Sequence, residues 1–462
     1  MPQQPNDPLR ALIEDSGLTY EQVARATGMV AAASGDPHVN PGRSSVAAWI
    51  AGRSPNPAAV RHLCEALTWK TGRTVTPEDI GLTAPRDSDL AALGLTVDSD
   101  PVETLGRLGR ADIDRRRLLT RAAYSVAGAA LPLGAAAEAQ ARTRYALDGH
   151  IAGDEEIQAV RDMVAMFTAM DERHGGQHGR SAVVQYLVTD VADLCRARFR
   201  TSRQYVEMLL AAASLVCLVG WKAFDAKEMG LAQRYYLQAY ALTKEAGDAA
   251  HEAFTLRLLA NHGMDNQRPQ YVLNLADAAL ERAHGRVDAA TESRFVICRA
   301  RALTDTGQAT AALREADLAR DLAVTPVATA EMTGWSALWG PALSTVNTHR
   351  AMIAERLGDW AAAERHYHDV ERRLSDVDYR VYAALTAASQ ARAQYRQGHL
   401  EAACTTWHRS LTTMTGTRST RTTKAVHAMR ATLAPVAARG SHTARELDDR
   451  ARTWLHDTPS GR

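Results

Sequence analysis

Apolar side chains recur at helical spacing along much of the chain. In two stretches they lie three or four residues apart on one face: Ile157, Val160, Met163, Val164, Phe167 and Met170, and then Val184, Leu187, Val188, Val191 and Leu194. Such spacing is typical of amphipathic helices, whereas a half-buried strand alternates at every second residue. No convincing alternating stretch occurs in the chain. The pattern therefore predicts an all-α fold.

Small residues repeat in the second half of the chain. The anchors of the repeat are spaced by 40, 40, 51 and 40 residues, at Ala232, Val272, Ala312, Ala363 and Ala403. A small residue stands twelve positions before each anchor, at Gly220, Ala260, Ala300, Ala351 and Ala391. Another short side chain stands seven positions after it, at Ala239, Ala279, Ala319, Val370 and Ser410. Small residues at these places let two antiparallel helices approach closely, so we expect repeated helix pairs.

Three copies also carry a glycine five positions before the anchor, at Gly307, Gly358 and Gly398. Glycine there suits the turn between two helices. The motif G…A-x3-aromatic-x2-A resembles the tetratricopeptide repeat, with Tyr367 and Trp407 at the aromatic position. The period is longer than the usual spacing of about 34 residues. The resemblance covers about Ser202–Thr415 and implies a helical solenoid, with a generic alanine-rich bundle as the alternative.

The N-terminal region opens with a helix signal in Leu18–Gly28, "LTYEQVARATG". Thr19 and Gln22 form a capping pattern, because their side chains can satisfy free backbone N–H groups at a helix start. Val23 and Ala24 supply the inner face of this helix. Gly28 is expected to end it.

Two further short helices follow in the pattern. The second is capped by Ser44 or Ser45 and stopped by Gly52, and the third spans Pro57–Leu67. The residues expected to be buried are Val46, Trp49 and Ile50 in the second helix, and Val60, Leu63, Cys64 and Leu67 in the third.

The pattern L-T-x-x-x-[VLI]-A-x-x-x-G, then S-x-[VI]-x-x-[WI]-x-x-G-x-x-x-P and a helix, resembles the Cro/CI-type helix-turn-helix of the xenobiotic-response-element family. The resemblance covers about Pro8–Leu82. It implies that Thr19–Thr27 is the positioning helix and that Ser44–Ala51 is the recognition helix, which enters the major groove. The residues expected at the DNA are Thr19, Tyr20, Gln22, Arg43, Ser44, Ser45, Ala47, Ala48 and Arg53.

Two features depart from that family. Met29–Gly42 is an insertion where the family has a short turn, so a loop or an extended first helix must link the two helices. Ala47 and Ala48 stand where long polar side chains are usual, although alanine methyls can contact thymine methyls. Residues 1–82 hold seven Lys/Arg and eight Asp/Glu, so their net charge is −1 and their attraction to phosphate is weak. We therefore expect a homodimer on a double-stranded operator.

The middle of the chain contains a segment that looks like an export signal. Positions 112–138 read "DIDRRRLLTRAAYSVAGAALPLGAAAE", but a signal peptide stands at the N-terminus. The uncharged run Ala122–Ala137 has 16 residues, and a membrane span needs about 20. Pro85–Pro101 is acidic and turn-rich, as linkers are. We expect a connector helix that starts near Asp114–Leu118, and three regions: 1–82, 83–153 and 154–462.

Composition bears on location and partners. The formal net charge is +1 over 462 residues, so attraction to nucleic acid or to a membrane must come from local surfaces. Five cysteines without a close pair fit neither a disulfide framework nor a zinc site, and they indicate a reducing cytosol. We therefore expect a cytoplasmic protein without a membrane segment.

Enzyme motifs do not occur in the sequence. It contains no glycine-rich phosphate loop, HExxH or GxSxG. His366 and His368 fall on different sides of a helix, and His174 and His178 would need metal ligands from elsewhere in the chain. We expect no enzyme activity, no cofactor and no metal, and an uncharacterised helical enzyme is the remote alternative.

Counting from the small residues predicts an effector site. The first helix of each solenoid pair lines the concave face, which places there Arg257, Asn261, Arg301 and Arg392. By resemblance to peptide-sensing regulators with such repeats, an asparagine holds a peptide backbone and arginines grip a carboxylate. Eleven extra residues precede the fourth anchor, in a stretch that contains Trp335 and Trp339, and these rings are expected to wall an apolar pocket. Solvated arginines and core tryptophans are the alternatives.

The combination of the two modules resembles bacterial regulators of differentiation and secondary metabolism. It implies a sequence-specific transcriptional regulator whose repeat domain dimerises and senses a small-molecule or peptide effector, or a partner. The alternative is a tetratricopeptide scaffold for protein partners, whose N-terminal module does not read DNA. A mobility-shift assay with non-specific competitor DNA separates the two.

Overall fold

The computed structural model describes residues 5–33, 36, 38–71, 75–82, 93–97, 100–113, 151–266, 271–326, 336–374 and 379–458. Over these ranges the architecture is all-α, with an N-terminal helical module followed by a solenoid-like series of helix pairs, and this confirms the predicted fold class. The expected connector start at Asp114–Leu118 and the predicted pocket residue Trp335 lie outside the described residues.

Four helices build the N-terminal module: α1 Asp7–Asp15, α2 Tyr20–Ala33, α3 Arg43–Ile50 and α4 Pro57–Thr71. The predicted cap of α2 is confirmed, because Thr19 N donates to Gln22 Oε1 at 2.8 Å and Gln22 N donates to Thr19 Oγ1 at 3.2 Å. Every residue predicted to be buried here lies in the core, which includes Leu9, Leu12, Ile13, Val23, Ala24, Val46, Trp49, Ile50, Val60, Leu63, Cys64 and Leu67.

The predicted end of α2 at Gly28 is wrong. The helix continues to Ala33, so the insertion begins as an extension of the first helix, one of the two possibilities that the sequence left open. Gly28 permits a close approach instead, because a Cβ at this position would lie 2.8 Å from Asn40 Oδ1. A glycine inside a helix is tolerated where neighbouring chain comes this near.

The predicted cap of α3 is also corrected. Gly42, not Ser44 or Ser45, is the residue at the helix boundary, and Gly42 N donates to Ser45 Oγ at 3.4 Å. Ser45 is therefore the third residue of the helix and supports its first turn. The predicted stop is confirmed, because Gly52 follows the helix with φ of 101°, a conformation that favours glycine.

Part of the segment that the sequence assigned to the linker joins the repeat domain. Helix α5, Pro101–Ile113, contributes Val102, Leu105 and Leu108 to the same apolar core as the first helix pairs. At its end, Arg180 Nη2 donates to Asp112 Oδ1 at 2.8 Å. These contacts fix the end of α5 to the repeat domain.

Three helical segments precede the repeats: α6 Asp154–His174, α7 Arg180–Tyr186 and, after a π-helical turn at Leu187–Val191, α8 Ala192–Leu194. The α6 start coincides with the residue at which the sequence predicted continuous helix. Two short strands, β1 Ile151–Ala152 and β2 Arg198–Phe199, pair in parallel. Within the described residues, these two strands are the only ones.

Six packed helix pairs follow. They are α9 Ser202–Asp225 with α10 Met229–Ala246, α11 Ala249–Asp265 with α12 Val272–Ala283, α13 Ala289–Asp305 with α14 Ala309–Val324, α15 Ala342–Leu357 with α16 Trp360–Glu371, α17 Arg380–Arg396 with α18 Leu400–Met414, and α19 Thr420–Ala438 with α20 His442–Asp457. The first five pairs are the copies counted in the sequence, and the sixth extends the series.

The register of the predicted repeat agrees with the burial of its small residues. All five anchors, all five residues twelve positions earlier and all five residues seven positions later are buried. The three predicted turn glycines, Gly307, Gly358 and Gly398, have φ of 83°, 82° and 87°, which other residues rarely adopt. The small residues therefore lie where neighbouring helices touch.

Contacts between the two ends of the series close it into a ring-like arrangement. Helix α6 touches both α9 and α17, the first helices of the first and fifth pairs. Arg418 N donates to His174 O at 2.6 Å, and Gln177 N donates to Arg418 O at 3.1 Å. Asp225, which is fully buried at the end of α9, accepts from Ser419 Oγ at 2.5 Å and from Arg421 Nε at 2.9 Å.

Candidate nucleic-acid interface and interior ligand site

Helix α3 presents a small exposed face. Its inner side is fixed by Val46, Trp49 and Ile50, which are buried in the core of the N-terminal module. This burial leaves Arg43, Ser44 and Ala47 exposed along the outer side, with Ala48 and Ser45 half-buried beside them. The exposed face is therefore short and carries one positive charge and one free hydroxyl.

The remaining residues predicted at the DNA occupy different environments. Thr19 and Gln22 are exposed at the start of α2, where their side chains bond to each other and to the backbone. Tyr20 is half-buried and packs against the core, so it offers less surface than expected. Arg53 is exposed just beyond α3, and its N–H donates to Ala48 O at 2.9 Å.

The segment after α2 is tied to α4 by polar contacts. Asp36 Oδ2 lies 3.0 Å from His62 Nε2 and 3.8 Å from Arg61 Nη2. Arg43 and Arg53 form no ion pair with any residue that the structure describes. Arg43, at the start of α3, and Arg53, just beyond its end, are therefore the module's cations best placed to meet phosphate or a base edge.

Inside the repeat domain, Arg257 and Asn261 lie on α11 one helical turn apart, as predicted. Arg257 is 6% exposed, and its Nε donates to Arg294 O at 3.0 Å. Asn261 Oδ1 accepts from the Cys298 thiol at 3.6 Å. Both residues face α13, the first helix of the next pair.

The other two predicted arginines are neutralised within the domain. Arg301 forms an ion pair with Asp265, and Arg392 Nη2 donates to both carboxylate oxygens of Glu355 at 2.8 Å. A guanidinium that already has a carboxylate partner gains little from a second one. In the structure Arg301 and Arg392 therefore already have carboxylate partners, Asp265 and Glu355.

Arg294, which the sequence reasoning missed, organises the inserted segment before α15. It donates to Ser336 Oγ at 3.2 Å, to Trp339 O at 3.3 Å, to Thr345 Oγ1 at 2.8 Å and to Gly340 O. Arg294 stands six positions before Ala300, the small residue of its repeat copy. Relative to Ala260 in the preceding copy, Arg257 stands one helical turn closer. Counting one more helical turn along the same face would have found it.

Trp339, which the sequence predicted to wall an apolar pocket, packs against other aromatic rings. Trp339 lies in a 3-10 turn, Ser336–Trp339, and its ring centroid is 5.2 Å from that of Phe254 and 6.1 Å from that of Trp221. Phe254 and Trp221 belong to the second and first helix pairs. The insertion therefore reaches back across two pairs, and Trp339 is partly core, which was the alternative interpretation.

A third basic side chain lies near these arginines. His349 is 9% exposed, and its Nδ1 has no hydrogen-bond partner within the described residues. Burial, followed by the charges of Arg301, Arg257 and Arg294, holds the pKa of His349 well below its ordinary value, so the ring is neutral. Burial likewise lowers the pKa of Arg294 to about 9.

The charge of Glu172, on α6, acts on Tyr382, as do the charges of Arg294 and Arg257. Burial raises the pKa of Glu172 from 4.5 to about 7, although Arg421 acts against this shift. The folded protein then holds a proton that the unfolded chain releases. The free energy of unfolding contributed by Glu172 is therefore fully present below about pH 4.5 and is lost as the pH rises to about 7.

We expect Glu172→Gln to gain stability relative to the wild type as the pH rises. The difference in free energy of unfolding should grow by about 1–2 kcal/mol between pH 4.5 and 8, because glutamine cannot ionise. Urea unfolding at several pH values measures it. Glu155→Gln, on the exposed side of the same helix, is the control, and a pH-independent difference for Glu172→Gln contradicts the prediction.

The histidine pair before α7 has little metal-binding character. The ring centroids of His174 and His178 are 5.0 Å apart, and within the described ranges no group of three potential ligands forms there or elsewhere. Burial and the neighbouring His174, Arg418 and Lys222 lower the pKa of His178. Positive neighbours of this kind disfavour a cation.

The fold belongs to the class of all-α proteins in which a small helical module precedes a solenoid-like series of helix pairs. A family model described as the SP15 N-terminal domain matches residues 9–83, which is the extent of the N-terminal module. The chain is similar to that family over this module alone. No match was found among curated proteins.

Among the described helices, Ser202–Asp225 is long and apolar enough to cross a membrane by length and composition. The buried share of its apolar stretch is 72%, and a buried core helix meets the same criteria, so length and composition are weak evidence for a membrane span. This helix is α9, and its residues provide much of the core between α6, α10 and α11.

Proposed function

We propose that the chain is a sequence-specific DNA-binding transcriptional regulator that acts in the cytoplasm. Helix α3 is its recognition helix, and the repeat domain dimerises and senses an effector. The class of genes controlled, differentiation or secondary metabolism, follows from the resemblance of the two-module arrangement alone. The proposal assigns no catalytic activity and no cofactor to the chain.

The observation that carries the proposal is the geometry of α3. A short helix is anchored by three buried apolar side chains, and its first turn exposes Arg43 and Ser44 with no acidic partner among the described residues. Helix-turn-helix proteins read DNA with the first residues of such a helix. Ala47 continues the exposed face and suits a thymine methyl.

The proposal requires a dimer on electrostatic grounds. A single module with a net charge of −1 makes few favourable phosphate contacts, and two modules on one operator double the number. We assign the dimer contact to the C-terminal helices of the repeat domain. The mass of the shifted complex then corresponds to two chains.

A tetratricopeptide-like scaffold for a protein partner is the second candidate. The same near-neutral N-terminal module favours it, since an interaction module needs no phosphate attraction. In that case the exposed face of α3 contacts protein. Failure to bind any DNA specifically, together with a folded module, would favour this candidate.

We expect Arg43→Ala to weaken operator binding by about tenfold or more without lowering the thermal midpoint, because Arg43 is exposed and unpaired among the described residues. A mobility-shift assay on the upstream region of the protein's own gene, with excess non-specific DNA, measures it. Arg10→Ala, on α1, is the matched control and should bind as the wild type does.

Ser44→Ala should weaken binding as well, whereas Ser45→Ala also removes a backbone contact of the helix start. A small loss of stability is therefore expected for Ser45→Ala alone. Equal binding by the wild type and Arg43→Ala would remove α3 from the interface.

A further inference from the structure

The buried arginines of the chain differ in how their charge is satisfied. Among the described residues, four arginines are buried: Arg180, Arg234, Arg257 and Arg294. Arg180 bonds to the carboxylates of Asp112 and Glu228. The positive charges of the other three arginines must therefore be satisfied by neutral hydrogen-bond acceptors or by a group from outside the chain.

Arg234 and Arg294 are held by neutral oxygens. Arg234 donates to Leu93 O at 3.0 Å and to Gly230 O at 2.8 Å. Arg294 donates to two hydroxyls and three carbonyl oxygens in the turn before α15. Both guanidinium groups are thus integrated into the fold.

Arg257 is the exception. It makes one side-chain hydrogen bond, through Nε, and its two terminal nitrogens bond to no residue that the structure describes. No carboxylate lies close enough to pair with it there, and burial lowers its pKa. The Arg257 side chain is 6% exposed overall, but its terminal nitrogens are not among the enclosed polar atoms that lack a partner, so the fork is open to an anion that approaches from outside.

The surroundings of Arg257 indicate the chemistry of that anion. His349 Nδ1 is a buried polar atom without a partner among the described residues, and the charge of Arg257 acts on its ring. Phe254 stands one turn before Arg257 on the same helix face and packs on Trp339. Glu172 acts on Tyr382 together with Arg257 and Arg294, and its negative charge disfavours a ligand with two negative charges.

We propose that Arg257 binds the carboxylate of a small monoanionic ligand whose apolar part lies against Phe254 and Trp339. The planar fork of Arg257 matches a carboxylate with two parallel hydrogen bonds, and His349 supplies a further polar contact. This inference specifies the sensing role in the proposed function. It rests on that function for the link to DNA, but not for the binding itself.

Ligand binding is tested on the full chain without DNA. Phenylacetate is the probe, and phenylacetamide, which keeps the ring and loses the charge, is its matched control. We expect phenylacetate to raise the thermal midpoint saturably and to change tryptophan fluorescence, and phenylacetamide and sodium chloride to do neither. Arg257→Gln should raise the half-saturating concentration by about tenfold or more.

Arg301→Gln is the control variant, because the charge of Arg301 already has a partner in Asp265. Its half-saturating concentration should stay within about twofold of the wild type, since it loses no ligand contact. The proposal is overturned by the absence of a saturable response to phenylacetate, or by an equal response in Arg257→Gln. A saturable response to inorganic phosphate in place of phenylacetate overturns the carboxylate assignment.

A second measurement separates a binding role from a structural one. Arg257→Met should leave the ligand-free thermal midpoint unchanged or raised, because it removes an uncompensated buried charge. Arg294→Met should lower it, because three carbonyl oxygens lose their donor. An equal loss in both variants would show that Arg257 is structural and would refute the site, whatever the DNA-binding result.

Discussion

Replacing Lys222 with methionine is expected to lower the free energy of unfolding of the repeat domain by about 3–5 kcal/mol. Lys222 is fully buried on α9, where its ammonium bonds to Asp171 and donates to His178 O at 3.0 Å. Removing the ammonium leaves the Asp171 carboxylate buried without its cation. The loss is large because Asp171 and Lys222 also connect α6 to the first helix pair.

Chemical denaturation measures the effect, with α-helical ellipticity as the signal. Lys244→Met is the matched control, because Lys244 is half-buried on α10 and lies 5.8 Å from the Tyr240 ring. It should cost less than about 1 kcal/mol. A similar loss in both variants would mean that the buried ion pair has no special role.

The double variant Lys222→Met, Asp171→Leu sharpens this test. Replacing both members of a buried ion pair with apolar side chains is often neutral, whereas removing one member leaves an uncompensated charge. We therefore expect the double variant to recover more than half of the loss seen in Lys222→Met. No recovery would show that the loss comes from the shape of the lysine side chain or from the His178 carbonyl, rather than from charge.

The repeat register was predictable because it depends on local spacing. Small residues mark where two helices touch. One of them is Ala260 or Ala300, and the next stands about one short helix further along the chain. Both can be identified without knowledge of distant contacts. The turn glycines follow from the same local rule, since a positive φ suits glycine. Helix starts and buried faces of the N-terminal module were predictable for the same reason.

The closure of the series was not predictable in this way. The pair of Lys222 with Asp171 joins residues 51 positions apart, and Ser419 bonds to Asp225 across 194 positions. Lys222 and Asp171 leave no periodic trace, because each side chain alone resembles an ordinary solvated charge, and nothing near Asp225 in the sequence indicates Ser419 as its partner. Only the position of α6 relative to α9 and α17 brings them together.

The sequence does contain a signal that the predicted arginines have acidic partners. An aspartate follows the small residue of the first three copies by five positions, at Asp225, Asp265 and Asp305. These aspartates form ion pairs with arginines of another helix: Arg421, Arg301 and Arg356. Repetition of an acidic residue at a fixed position of the repeat thus indicated that arginines on the neighbouring helix face would be paired.

Gly28 illustrates a different limit. Glycine commonly ends helices, so its appearance after Thr27 predicted an end. The following stretch is rich in alanine and continues the helix, and the reason for glycine lies in Asn40, beyond the end of the helix, where the chain folds back onto it. A turn signal and a close-approach signal are identical in sequence, and only the tertiary contact distinguishes them.

Trp49→Ala is expected to unfold the N-terminal module and to abolish operator binding. Trp49 is buried between α3 and the rest of the module's core, and deleting such a ring costs about 3–5 kcal/mol. A module of this size has little stability to spare. The apolar core around Trp49 is separate from that of the repeat domain, so the repeat domain should remain folded.

Thermal denaturation and limited proteolysis of the full chain follow the two parts separately. In Trp49→Ala, we expect early cleavage within residues 1–82 and an unchanged midpoint for the main helical transition. Met29→Ala, which truncates an exposed side chain on α2, is the control and should stay within about 0.5 kcal/mol of the wild type. Should Trp49→Ala lower the main transition as well, the two cores must unfold together, because α4 reaches the repeat domain where Tyr271 Oη donates to Thr68 O at 3.4 Å.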